Sequence, residues 1–343
     1  MIMENRTYHF KGTAKEIGIS MGLALGNRLA QNISLYIRKR PSDPNILDLD
    51  KLGSEALPWM RSLPERFQDE FEGLAEGANI PLQHIAEWAY LDQYLEGGCS
   101  GFICSLDGHA WVGRNNDFYI PELWGYMMIR EIENRIPTIS FGMQGDVFTP
   151  TGINQERLWI HHNYLPVWDA PRMGRPHLPG YVLLTEALET CSTIKEVEDI
   201  LGRYDRDGGM LLFCADGKTD EYAIFECSSS QYFKHTPKGK WLVGTNHYRA
   251  FQVNTNSQSS VSCLSRLEEL LGILYTQPDN VRLPADLIAI LADAEVEAQE
   301  QNFGTVYANI ACPGIRQIWH TFGGFPAASK GNWQPIEWPW KEE

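Results

Sequence analysis

The sequence predicts a layered α+β protein. Three observations carry this. The first hundred residues have helical periodicity, the pattern switches to short strand-like runs at Gly97-Gly98, and helices return between and after two groups of such runs. The 343 residues are 43% apolar, enough for a sizeable core in one large unit or two smaller ones.

Thr13-Ala14-Lys15-Glu16 has capping-box spacing and opens a long apolar-periodic run to about Arg40. Gly18, Gly22 and Gly26 recur every four residues within it. Glycines on one helix face cost propensity, so they predict close backbone packing. Pro41 to Pro44 breaks the chain. Helical stretches follow over Asp48 to Gly77 and Pro81 to Leu95, the first divided by Pro58 and Pro64. Beyond Gly98 the strand-like runs are Gly101 to Leu106, Ala110 to Asn115, Gly125 to Ile132, Thr138 to Gly142 and Leu158 to His162. Asp107-Gly108 marks a hairpin between the first two.

A helix is expected over Tyr181 to Arg203. A meander follows through Met210 to Ala215, Glu221 to Glu226, Gln231 to His235 and Trp241 to Gly244, turning at Asp216-Gly217. Helices return over Ser262 to Tyr275 and Ala285 to Ala294. Thr305 to Ala311 and Gln317 to Thr321 form a last strand pair joined by Pro313-Gly314, and the Trp- and Pro-rich tail from Pro326 reads as a surface wrap.

With 29 basic and 44 acidic residues the net charge is −15, a field that opposes nucleic acid and anionic membrane. No run of eighteen apolar residues suggests a membrane span, and Met1 to Phe10 lacks a signal-peptide core, so a cytoplasmic setting is expected. Seven cysteines at irregular spacing, without C-x-x-C, argue against a disulfide framework or a zinc site. His161-His162 would point to opposite faces of a strand, which is poor for joint metal ligation. No phosphate loop or dinucleotide fingerprint is present, and no metal or cofactor is expected.

The most informative stretch is Gly97-Gly98-Cys99-Ser100-Gly101-Phe102-Ile103-Cys104, followed by Gly113-Arg114-Asn115-Asn116-Asp117-Phe118. Arg114 and Asp117 arrive close together one hairpin after a cysteine, in apolar strand surroundings where buried charges need partners. These residues alone fit either a structural Arg114–Asp117 pair beside an inert cysteine, or a nucleophile with charged neighbours. Cys104 lies mid-strand without a preceding glycine and reads as core.

Cys-Ser-x-x-x-Cys, Asp-Gly and then Gly-Arg-Asn-x-Asp-Phe resembles the start of the mature subunit in the acyl-CoA:6-aminopenicillanate acyltransferase family. This is the autoproteolytic acyltransferase/hydrolase branch of the N-terminal-nucleophile (Ntn) hydrolases. Choloylglycine hydrolases and acid ceramidase look like more distant relatives. The separation of 18 residues between Cys99 and Asp117 agrees, as does the second cysteine five residues on. Phe71-Glu72-Gly73-Leu74-Ala75-Glu76-Gly77-Ala78 is similar to the pro-segment pattern in which a carboxylate precedes G-x-A-x-G-A. Thr151-Gly152-Ile153-Asn154 is similar to the G-x-N strand entry, Gly244-Thr245-Asn246-His247-Tyr248 to the T-N-H element, and Ser265-Arg266-Leu267 to the arginine that opens a late helix. The match runs over about residues 10 to 325, and its specificity lies in the shared order of individually weak motifs.

The resemblance implies a four-layer αββα sandwich with an N-terminal helical pro-segment. It also implies self-cleavage between Gly98 and Cys99, giving residues 1–98 and 99–343 as one compact unit. Free cysteine has a pKa near 8.5 and an α-amine about 7.7–8.0, so a terminal Cys99 would carry its own base. Arg114 and Asp117 would orient the amine and tune the thiol. Asn246 would donate to the oxyanion, Asn154 would be a second oxyanion or positioning residue, and Arg266 would buttress the site. The competing readings are a turn residue for Asn246, a turn or cap for Asn154 and a surface arginine for Arg266.

The expected reaction is hydrolysis of linear N-acyl amides, or transfer of their acyl group, through a Cys99 thioester. The expected partners are a small-molecule N-acyl amide or acyl donor, the chain's own cleaved fragment, and at most further copies in a homo-oligomer. The alternatives are a Cys99–His247 amidase or thioesterase without chain cleavage, and a non-catalytic scaffold of the same fold.

Overall fold

The computed structural model describes residues 6–39, 49–94, 97–253 and 258–341. The first element is a strand the sequence reading passed over, β1 (Thr7–Gly12). It is mostly exposed, with Phe10 alone buried, so its short stretch lacks the apolar run that announces a strand. The capping box at Thr13 then opens α1 (Ala14–Leu25), with the Thr13 hydroxyl receiving the Glu16 N–H and the Glu16 carboxylate receiving the Thr13 N–H. The expected single helix is broken at Gly26, whose φ of +51° is left-handed, and α2 (Asn27–Lys39) follows; Arg40 lies outside the described residues.

Pro58 does not divide the next helix, α3 (Leu49–Ser62), but sits within it. Pro64 does divide, as N-cap of α4 (Glu65–Ala78), and α5 (Leu82–Tyr94) completes the helical segment. The glycine spacing is explained by α4. A Cβ on Gly18 would lie 2.2 Å from the Glu70 carbonyl oxygen, and one on Gly22 would lie 2.5 Å from Ala78 N. In return, Cβ atoms on Gly73 and Gly77 would lie 2.2 Å from the carbonyl oxygens of Lys15 and Ile19. The two helices are thus in backbone contact through two glycines each, and Gly26 takes no part.

The switch to strands begins with β2 (Gly98–Leu106) and β3 (His109–Phe118), joined at Asp107 and Gly108, which both have positive φ as a two-residue hairpin requires. Next come β4 (Trp124–Ile132), β5 (Thr138–Met143), β6 (Thr151–Asn154), β7 (Leu158–Leu165) and the short β8 (His177–Leu178). The expected helix over 181–203 is two, α6 (Gly180–Thr190) and α7 (Ile194–Arg203), because Thr193 opens a new capping box. The chain continues through β9 (Asp205–Arg206), β10 (Gly209–Asp216), β11 (Glu221–Cys227), β12 (Tyr232–His235) and β13 (Trp241–Gly244). It then runs through α8 (Gln258–Thr276), α9 (Ala285–Leu291), β14 (Gly304–Cys312), β15 (Gln317–Phe322), α10 (Ala327–Lys330) and β16 (Asn332–Ile336).

Fourteen of the strands form two large sheets, and β8 and β9 pair with each other in parallel as a separate two-stranded ribbon. One large sheet has the order β1-β4-β5-β6-β7-β10-β11-β12, the other β13-β2-β3-β14-β15-β16. All pairings in the two large sheets are antiparallel except that of β1 with β4. The expected meander therefore ends at β12, since β13 leaves its neighbours to pair with β2. The tail is not only a wrap: β16 extends the second sheet beyond β15, and Trp340 is buried. Helices α1, α6 and α7 pack on the first sheet, α8, α9 and α10 on the second, and the inner faces of the sheets meet, giving four layers in the order αββα.

The helical segment is tied to the first sheet by a buried ion network. Arg66 pairs with Glu70 (2.7 Å) and with Glu189 on α6 (Nε to Oε2, 2.8 Å), and Arg130 on β4 donates to Glu70 (3.0 Å). The buried acid of this part of α4 is Glu70, whereas Glu72, the carboxylate of the sequence motif, is exposed. Among the described residues no helix is long and apolar enough to cross a membrane, and no group of three or more His, Cys, Asp and Glu could hold a metal.

Candidate active site

Cys99 lies one residue into β2, where the second sheet faces the first, and is 6% exposed. Its neighbours are set by register. Asn116 of β3 lies opposite it, and β13 runs alongside with Gly244 opposite Gly101, so that Asn246, two residues on, reaches Cys99. The Cys99 main-chain N–H donates to Asn246 Oδ1 at 2.9 Å, and Asn246 Nδ2 donates to the Tyr164 carbonyl on β7 at 2.8 Å. Both contacts fix the amide orientation, and together they bridge the two sheets. Asn163 adds a second bridge, donating to the Gly244 and Thr245 carbonyls at 3.1 and 3.3 Å.

Arg114 is fully buried. Its Nη1 donates to the Pro150 carbonyl (2.8 Å), and its Nη2 donates to Asn116 Oδ1 (2.6 Å) and lies 3.5 Å from Cys99 Sγ. Strand alternation puts Arg114 and Asn116 on the face toward the other sheet and turns Asn115 and Asp117 to the helix side. There Asn115 donates to the Leu291 carbonyl at 2.8 Å, and Asp117 Oδ1 accepts from the Thr305 hydroxyl at 2.6 Å. Arg114 and Asp117 thus flank the cysteine from opposite faces. Asp117 borders the preceding residue: a Cβ on Gly98 would lie 3.2 Å from Asp117 Oδ2 and 2.8 Å from the Phe303 ring, so a larger residue there would have to displace the Phe303 side chain.

Burial pushes the Cys99 thiol pKa up. Arg114 opposes the shift, the Asp117 carboxylate adds to it, and the main-chain N–H groups of Asp117 and Tyr164 favour the thiolate, but burial prevails. Burial likewise raises the Asp117 carboxyl to about 6, with the Thr305 hydroxyl and Arg114 pulling it back and Glu297 adding to the rise.

Arg266 does not reach Cys99. It grips Asp293 with Nε (3.2 Å) and Nη2 (2.8 Å), and Glu269 with Nη1 (2.9 Å). The segment beyond Asp293 leads back to the site. The Ser100 hydroxyl donates to the Val296 carbonyl at 3.4 Å, and Ala298 N–H donates to Thr305 Oγ1, the same hydroxyl that holds Asp117.

Asn154 is not brought to the cluster. Its Nδ2 donates to the Leu188 and Cys191 carbonyls and its Oδ1 receives Leu158 N–H, so its amide is spent tying the β6–β7 turn to α6. His247 is directed elsewhere as well. Thr245 Oγ1 donates its single hydrogen to the Ser260 carbonyl and therefore accepts from His247 Nδ1 at 2.9 Å, so the ring is engaged on Thr245. Cys104 is buried, and burial pushes its thiol to about 12.

Sequence reasoning assigned no role to Asn116, Asn163, Thr305 or the Tyr164 main chain. Period-two alternation with Arg114 could have found Asn116. Tyr164 contributes a peptide N–H and carbonyl, which leave no mark in a sequence.

No family model matches the chain, and no curated protein matches it either. Solved structures do. A mutant conjugated bile acid hydrolase from Clostridium perfringens aligns with a TM-score of 0.50 at 12% identity, over 70% of this chain and 97% of that one. This chain has the fold of the Ntn hydrolases. The Caenorhabditis elegans N-acylethanolamine-hydrolyzing acid amidase ortholog aligns with a TM-score of 0.46 at 15% identity, over 63% of this chain and 93% of that one. Penicillin V acylase from Agrobacterium tumefaciens aligns with 0.46 at 14%, over 70% and 86%.

Proposed function

We propose that this chain is an autoproteolytic N-terminal-cysteine hydrolase of the acyltransferase-like branch. In this reading it opens between Gly98 and Cys99 into residues 1–98 and 99–343, and it cleaves linear N-acyl amides through a Cys99 thioester. The observation that carries this reading is the environment of Cys99. Its sulfur lies against the buried Arg114 guanidinium at 3.5 Å, and its main-chain nitrogen rests on Asn246 Oδ1 at 2.9 Å, directly after two glycines. Within this fold, which the chain shares with a protein named a conjugated bile acid hydrolase, that nitrogen becomes the base once the peptide is cut.

In the mature protein Asn246 Oδ1 holds the new α-amine beside the thiol, and the amine takes the thiol proton as sulfur attacks the substrate carbonyl. The Tyr164 N–H, which favours the Cys99 thiolate, and the second hydrogen of Asn246 Nδ2 are assigned to the developing oxyanion; losing one such donor costs about 10²–10³ in rate. The amine then returns its proton to the leaving nitrogen, and water hydrolyses the thioester. An amine acceptor in place of water would give acyl transfer. A Cys99–His247 pair has less support, because His247 is bonded to Thr245.

Mass and N-terminal sequence of the purified protein test the reading. Cleavage yields fragments of about 11 and 28 kDa in proportion to length, the larger beginning at Cys99, and Cys99→Ala keeps the chain at 39.0 kDa without amidase activity. An active, processed Cys99→Ala protein refutes it.

A further inference from the structure

Asn116 faces Cys99 across two neighbouring strands, and half of its amide is unused. Its Oδ1 accepts from Arg114 Nη2 at 2.6 Å and lies 3.9 Å from Cys99 Sγ. A guanidinium only donates, so the atom facing Arg114 is the oxygen and the amide cannot be turned round. Nδ2 therefore points away from Arg114. It is closed to solvent and makes no hydrogen bond, and Arg114 Nε is in the same condition. An empty buried donor costs about 1–3 kcal/mol, and native proteins carry few of them. Here two belong to the hydrogen-bonded pair that touches one thiol.

Such a donor is useful if it is filled only in a transition state, because the interaction then lowers the barrier without stabilising the starting state. Nδ2 has no opening to solvent, which favours an acceptor on the chain itself. The carbonyl of Gly98 is joined to the Cys99 nitrogen, and it becomes a strong acceptor when the neighbouring sulfur adds to it.

We propose that Asn116 is a catalytic residue of chain opening: its Nδ2 receives the oxyanion formed on the Gly98 carbonyl as Cys99 Sγ attacks, while its Oδ1 holds Arg114 in place. This rests on the self-cleavage reading above. As the sulfur–carbon bond forms, the carbonyl π pair moves to oxygen. When the pair returns, the carbon–nitrogen bond breaks, and the thiol proton ends on the departing Cys99 nitrogen. Water then adds to the thioester, its hydroxyl going to the Gly98 carbonyl and its hydrogen to sulfur. The resulting acid gives its proton to the new amine.

The test follows the loss of the 39.0 kDa chain by mass in freshly made wild type, Asn116→Leu and Asn116→Asp. Both variants should open about 10²–10³-fold more slowly. Asn116→Asp keeps an acceptor for Arg114 and lacks the N–H, and it decides alone if Asn116→Leu does not fold. The rates are read across pH. A defect that closes as pH rises comes from a raised thiol pKa and overturns the assignment, whereas a constant defect is the missing donor. Opening of both variants within about threefold of wild type also overturns it and leaves the self-cleavage reading standing. A wild-type chain that stays whole and inactive removes both.

Discussion

Replacing Gly73 with Ala tests the contact between α1 and α4. The new methyl carbon would lie 2.2 Å from the Lys15 carbonyl oxygen and 2.9 Å from Ile19 N. Ordinary contact needs more than 3 Å, so the helices must part by about an ångström, and neither neighbour is a side chain that could rotate away. Overpacking of this kind costs 1–3 kcal/mol; rigid backbone on both sides argues for about 3. Helix propensity returns about 1 kcal/mol for Gly→Ala, leaving a net loss of about 2. The control is Gly272→Ala in α8, where a Cβ meets nothing within 4 Å, so the same propensity gain stands alone. Thermal unfolding of both variants in a Cys99→Ala background, which removes the proposed self-cleavage, should show opposite signs. At ~2 °C per kcal/mol for a long chain, Gly73→Ala falls by roughly 4 °C and Gly272→Ala rises by about 2 °C. If Gly73→Ala is as stable as Gly272→Ala, the two helices are not in backbone contact.

Arg114→Gln removes the cation that most favours the Cys99 thiolate, so alkylation of Cys99 at neutral pH should slow by tenfold or more, as read by iodoacetamide labelling and peptide mapping. Asp117 has a folded pKa of about 6, raised by burial, so its contribution to stability is fully present below its ordinary value and is lost as pH rises through about 6. Asp117→Asn should flatten that fall, worth up to about 3 kcal/mol, when denaturant midpoints are compared between pH 4 and 7. Glu70→Ala leaves the Arg130 guanidinium without its buried carboxylate and should destabilise the chain by about 3–5 kcal/mol in urea unfolding; a loss under about 1 kcal/mol would mean that the network is not formed.

How much of this was legible follows from where the information sits. The hairpin at Asp107-Gly108 and the capping box at Thr13 are local, and the sequence reading found them; it found the strand holding Cys99 only from Gly101 on, leaving out Gly98 to Ser100. The break at Gly26 was missed because the apolar period continues through it and only a backbone torsion interrupts it. β1 was missed because an exposed edge strand needs few apolar residues, and β13 was assigned to the wrong sheet because a change of sheet leaves no local trace. At the site, the motif led to Cys99, Arg114, Asp117 and Asn246, which the fold gathers. Asn154 belongs to an equally good motif, but its neighbours turned out to be main-chain carbonyls of α6, which no side-chain pattern records. Arg266 pairs with Asp293 instead of reaching Cys99, a relation set by loop packing.

The parallel pairing of β1 with β4 carries a consequence for a chain opened before Cys99. Residues 7–12 would then belong to the leading piece and residues 124–132 to the trailing one, so a single ladder would be shared by two polypeptides. Pulling the pieces apart would strip an edge from an eight-stranded sheet and expose the Glu70 carboxylate to water, so dilution alone should not separate them. The leading piece would behave as a subunit rather than a discarded leader.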